Sequence, residues 1–139
     1  MSTIDEATLL AYLRCHYRVL GELPFTLRIG EQSAALLALY ERLDRNRAAF
    51  LTAWNPRGKL LDDEANHGTQ TTLMRDITAR GHAGIAGVGE DPDGDWRGED
   101  SVLGPGMDLA AAMAIGVAYG QNALVWAGSD ARPQLILLR

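Results

Sequence analysis

Residues 109–119, LAAAMAIGVAY, carry no charge at all. Asp108 stands before them as a helix cap, and Gly120 follows as a C′ residue. The run is too short to cross a bilayer, which takes about 20 apolar residues. A helix apolar on every side is expected to be largely buried in a protein core. The rest of the chain must therefore supply elements that surround it. With 139 residues, 47% of them apolar, there is enough material for one such core. Aromatic residues are only 6%, so Leu, Ala, Val and Ile are expected to fill it.

The partners for that helix are read from periodicity. Residues 3–20 show a helical stripe of Leu9, Leu13, Tyr17 and Leu20, with Thr3 and Glu6 at capping-box spacing. Gly21 and Pro24 end it. FTLRIG, 25–30, alternates as a half-buried strand does. Residues 33–44 predict a second helix, capped by Ser33 and striped by Leu36, Leu37, Tyr40 and Leu43. AAFLTAW, 48–54, is the apolar run of a central strand. Residues 62–80 predict a third helix opened by Asp62, Asp63 and Glu64, with Gly68 loosening its first turns. Of the 15 glycines, many fall in 81–106, which is expected to be loop-rich, with short strands near 83–88 and 101–104. Gly104-Pro105-Gly106 ends the latter, and that proline suits an edge strand. ALVWA, 123–127, and QLILL, 134–138, predict a C-terminal β-hairpin. The expected fold is one globular α/β (α+β) domain over 1–139: a mixed sheet of five to six strands packed with about four helices.

Several function classes are excluded or disfavoured. The net charge of −5 disfavours nucleic-acid binding, which needs surplus cations. Arg42, Arg45 and Arg47 are the best local exception, and they read first as cations complementing a helix C-terminus. A single cysteine, Cys15, permits no internal disulfide and reads as a buried structural thiol. No apolar stretch reaches 18 residues and no signal peptide opens the chain, so no membrane association is expected and the cytoplasm is the expected compartment. His16, His67 and His82 lack metal-ligand spacing. The acidic stretch from Glu90 to Asp100 superficially resembles a calcium loop, but counting from Asp91 its glycine falls fourth and Val102 falls twelfth. No metal and no cofactor are expected.

What polar chemistry remains gathers around the end of the central strand. Trp54-Asn55-Pro56 stops it abruptly. Proline holds Asn55 to an extended or turn backbone, where its side chain can cap the loop or meet a ligand. Asn66 lies 7 and 11 residues before Leu73 and Ile77, on the core-facing side of the third helix. A buried amide needs a partner, and the 55–58 loop is the nearby one in sequence. Trp96 is an indole in a polar loop, either folded onto the core or presented to a partner. Gln121 follows Gly120 and can bond free carbonyls at the helix end.

TAWNP at 52–56, Asn66, DGDWRGEDS at 93–101 and YGQNALVW at 119–126 together resemble the bacterial domain of unknown function 3293 family. Tyr17-Arg18-Val19 and LRIG at 27–30 fit the same pattern. After Ser101 the resemblance implies a longer apolar strand than Gly104-Pro105-Gly106 leaves room for. It implies no reaction, because the family's function is unknown. It does mark Trp54, Asn55, Asn66, Trp96, Glu99, Ser101 and Gln121 as residues to follow.

The leading expectation is a ligand- or partner-binding or regulatory domain, its partner a small molecule or a protein. The alternative is a small enzyme using Glu99 as acid or base, with Asn55, Asn66 and Gln121 orienting a polar substrate. Nucleic-acid binding through Arg42, Arg45 and Arg47 ranks last.

Overall fold

The computed structural model describes residues 3–56, 59–94 and 98–139. Their order is α1 (Glu6–Arg14), β1 (His16–Val19), β2 (Phe25–Leu27), α2 (Ala34–Leu43), β3 (Ala48–Thr52), α3 (Asp63–Ala79), β4 (Ile85–Glu90), β5 (Glu99–Pro105), α4 (Leu109–Ala118), β6 (Ala123–Ala127) and β7 (Gln134–Leu137). The seven strands form one sheet in the order β2-β1-β4-β5-β3-β6-β7. Every neighbouring pair is antiparallel. The fold is thus α+β with four helices among the described residues. The expected mixed sheet of five to six strands is corrected to an antiparallel sheet of seven.

The additional strand is β1, which the helical stripe concealed. α1 ends at Arg14, and its N-cap is Asp5, which accepts from the Thr8 amide at 2.7 Å, not Thr3. Leu13 and Leu20 of the expected stripe are exposed. Cys15, Tyr17 and Val19 are the buried residues, and their spacing of two is the period of a strand. Pairing with β2 on one side and β4 on the other outweighs the local helical pattern.

The Gly-rich region 81–106 is likewise corrected, for it supplies β4 and β5 at the sheet's middle. Glycine there allows close packing. A Cβ on Gly87 would lie 2.7 Å from both the Arg18 carbonyl oxygen and the Phe50 ring. β5 runs on through Gly104 and Pro105, longer than the expected 101–104 and central, not at an edge. Pro105 is tolerated because it is the last residue of the strand. Gly106 then turns away at φ 89° and donates its amide to the Arg47 carbonyl at 2.7 Å.

The sheet buries both faces. Ala48 and Phe50 of β3, with Tyr17, Leu103 and Val125, pack with Leu36, Leu39 and Tyr40 of α2. Ala49, Leu51 and Val102 pack on the other face with Leu73 and Ile77 of α3 and Ala112 and Ile115 of α4. α2 starts where its cap is expected, Ser33 accepting from Leu36 N at 3.0 Å; α3 starts within the expected acidic run, with Asp62 as its cap accepting from Ala65 N at 2.7 Å. α3 is continuous through Gly68. In α2, Leu39 takes the core place expected of Leu37 and Leu43, which are exposed.

α4 departs from expectation. Asp108 caps it through Ala111 N at 2.7 Å, and Gly120 follows with φ 68°. Only Ala112, Ile115 and Gly116 are buried, while Val117 is 62% exposed. The helix lies on the sheet and is not wrapped by other elements, so its outer side stays open. No helix among the described residues is long and apolar enough to cross a membrane.

Candidate functional site

β3 ends at Thr52, and the chain leaves it through a tight polar junction. Thr52 Oγ1 donates to the Asp100 carbonyl at 2.7 Å and accepts the Trp54 amide at 3.0 Å. The next amide, Ala53 N, donates to Gln70 Oε1 of α3 at 2.9 Å. Asn55 then takes the turn conformation open to it in its left-handed form, φ 45°. Asparagine enters that region more readily than most residues.

What holds Asn55 there is Asn66, which is 1% exposed on the core side of α3. Asn66 Oδ1 accepts the Asn55 backbone amide at 2.9 Å, and Asn66 Nδ2 donates to Asn55 Oδ1 at 2.9 Å. The same Oδ1 accepts the Leu61 amide at 2.9 Å, which closes the loop onto the start of α3. With its oxygen anchored in this way, Asn55 directs Nδ2 to Glu99 Oε1 at 2.9 Å. A chain of side-chain bonds therefore runs Asn66–Asn55–Glu99, from the buried helix to the first residue of β5. On the other flank Gln121 Nε2 donates to the Trp54 and Tyr119 carbonyls at 3.1 and 3.3 Å.

In front of Glu99 is a cavity of about 110 Å³. Trp54, Asn55, Glu99, Ser101 and Gln121 contribute to its walls. Asn66 stands behind Asn55 and does not line it. Trp96 lies outside the described residues. The opposite wall is one that sequence reasoning missed: Tyr12 of α1, Cys15, and Tyr17 of β1. Reading 3–20 as one helix put Tyr12 and Cys15 on one face and turned Tyr17 away from them. The alternation Cys15, Tyr17, Val19 was the signal that could have united two of them. Asn122 also joins the lining and donates to Tyr12 Oη at 3.2 Å.

The electrostatics follow from burial. Withdrawal from water holds the Glu99 carboxyl above the usual glutamate range, with the Asn55 bond pulling the other way. Burial pushes the Cys15 thiol up to about 12 and raises Tyr17 and Tyr12 as well. At neutral pH the thiol and both phenols are thus neutral. Trp54 is 6% exposed and meets the His67 ring edge-on at 5.2 Å between centroids. Its buried Nε1 has no hydrogen-bond partner among the described residues.

The three arginines do not converge. Arg45 and Arg47 border an open polar notch with His82, whereas Arg42 lines a separate depression beside Leu20 and Leu23.

A family model described as "Protein of unknown function (DUF3293)" matches residues 51–124, more than half of the chain. The chain belongs to the DUF3293 family. The matched segment contains Trp54, Asn55, Asn66, Glu99, Ser101 and Gln121, the β3 end and its clamp. It stops short of Tyr12, Cys15 and Tyr17, so the far wall of the DUF3293 cavity is built from residues before the match. No curated protein and no solved structure matches the chain.

Proposed function

We propose that this domain binds a small molecule in the cavity before Glu99. The observation that carries the reading is the chain Asn66–Asn55–Glu99. It fixes a carboxyl from behind and leaves it facing a hollow whose walls are mostly aromatic and aliphatic. Apolar walls with a few fixed polar groups are the usual make-up of a ligand pocket. The volume equals roughly four water molecules, well below the ~300 Å³ of a drug-sized site. It therefore suits a small ligand or the head of a larger one.

Gly89 gives the direct test. It lines the cavity, and a Cβ built on it meets only Cys15 Sγ, at an ordinary 3.5 Å. Gly89→Leu should fill the hollow while the sheet is kept. Native mass spectrometry of a metabolite library should find a ligand on the wild-type chain and lose it on Gly89→Leu. A ligand that binds both chains alike would place binding elsewhere.

A second reading, a small enzyme with Glu99 as acid or base, draws on the same raised carboxyl. It gains less support. Neutral Cys15, Tyr12 and Tyr17 leave no activated nucleophile in the lining. Asn66 and Gln121 are tied to protein atoms and do not turn toward a substrate.

A further inference from the structure

Building on the ligand-binding reading, we propose that the cavity accepts a small organic ammonium group, with Glu99 as its counter-charge and aromatic rings as its walls. Three observations lead there.

The first is charge. Glu99 is the one charged side chain among the described residues that line the cavity. None of the five ion pairs among the described residues includes it. Arg139 reaches Asn122 Oδ1 at 2.9 Å but does not line the cavity. An anionic ligand would face Glu99 with no cation among the described lining residues to offset it. A cationic one supplies the partner that a half-buried carboxylate needs.

The second is where the hydroxyl hydrogens go. Thr52 donates to the Asp100 carbonyl, Ser101 to the Glu99 carbonyl at 3.0 Å, and Tyr17 to the Tyr12 carbonyl at 2.6 Å. A hydroxyl has one hydrogen. With it committed to the backbone, each of these oxygens can meet a ligand only as an acceptor. The Glu99 carboxylate is an acceptor too. Against this stand the Trp54 indole N–H, which has no partner among the described residues, the Tyr12 hydroxyl and the second amide hydrogens of Asn55 and Asn122. The charged group of the described lining, Glu99, is on the acceptor side, and an ammonium head brings up to three donors to it.

The third is the wall. Tyr12, Tyr17, Phe50 and Trp54 bring aromatic rings to the lining, and Val125 and Leu135 bring aliphatic surface. Aromatic faces attract cations, and the apolar remainder suits a short alkyl body. The volume, roughly four waters, suits an ammonium head with a short alkyl body.

The test compares three isosteres, n-butylammonium, n-butanol and butyrate, by titration into the 15N-labelled chain at neutral pH. Butylammonium should shift the amide resonances of Tyr12, Asn55, Glu99 and Ser101 with a Kd at least tenfold below that of butanol. Butyrate should leave them in place. Glu99→Gln should bring butylammonium and butanol within about twofold, and Glu99→Asp should keep the cation preference. Butanol or butyrate binding the cavity as well as butylammonium would overturn the ammonium assignment and leave small-molecule binding standing. Silence from all three probes also overturns it. The library screen on wild type and Gly89→Leu then decides separately whether the cavity binds anything.

Discussion

Behind Asn55 and in front of it lie two polar regions of opposite character. Behind, Asn66 and Gln70 are buried amides of α3: Asn66 bonds both the backbone amide and the side chain of Asn55, and Gln70 Oε1 accepts the Ala53 amide while its Nε2 has no partner among the described residues. In front, the Glu99 carboxyl has a single bond from Asn55 among the described residues, and Glu99 lines the cavity. The same strand end thus carries a closed clamp and an open group. A buried amide with its partners in place stabilises a loop, while one left alone costs about 1–3 kcal/mol. A carboxyl kept half out of water, with no ion-pair partner among the described residues, is a stability cost that packing alone does not require. The contrast separates what holds the chain from what the proposed ligand would meet.

Breaking the clamp should have the largest effect. Asn66→Ala removes two bonds to Asn55 and leaves the Asn55 amide without its acceptor. About 3 kcal/mol should be lost, read as the shift in the urea midpoint. A loss under about 0.5 kcal/mol would mean the clamp is not structural. The partnership itself is isolated by a double-mutant cycle with Asn55→Ala. Asn55→Ala keeps the backbone amide, so the cycle reads the one side-chain bond, Asn66 Nδ2 to Asn55 Oδ1; coupling of roughly 0.5–2 kcal/mol is expected, and additive effects would mean that this bond contributes nothing.

α4 repeats the contrast between closed and open on one helix. Ala112 is fully buried and Ala114 is exposed. Ala112→Leu should overpack the face toward the sheet and cost about 1–3 kcal/mol, whereas Ala114→Leu should stay within about 0.5 kcal/mol. Equal denaturation midpoints for the two variants would contradict this placement of the helix.

The smallest effect should come from the open group, and its sign is opposite. Burial raises the Glu99 carboxyl in the folded chain above its unfolded value. The folded chain therefore keeps a proton that the unfolded chain has already released. Stability from this group falls as pH rises from the ordinary glutamate value through the raised folded one, and ionised Glu99 is a constant cost above that window. Glu99→Gln should be slightly more stable than wild type near neutral pH, with the advantage fading as the pH falls through that window and gone below the usual glutamate range. Chemical denaturation at pH 7.5 and pH 4 checks it, and a Gln variant less stable at pH 7.5 would reverse the assignment of Glu99 as the strained partner.

Much of the frame was legible from neighbours in sequence. Ser33, Asp62 and Asp108 cap helices within three residues of themselves, and such bonds need nothing distant. The β6–β7 hairpin joins adjacent strands. The core-facing phase of Asn66 followed from its spacing to Leu73 and Ile77. Tertiary structure alone decided the rest. β1 exists because β2 and β4 pair with a segment whose local pattern reads as helix. β5 became the middle of the sheet through β3 and β4, with glycines that open space for Phe50. The cavity sets Tyr12 and Tyr17 across from Glu99, residues more than 80 positions apart. Caps and periodicity are short-range and written in consecutive residues. Strand order and the hollow before Glu99 are contacts between distant segments, and the free energy that selects them exists only once those segments pack.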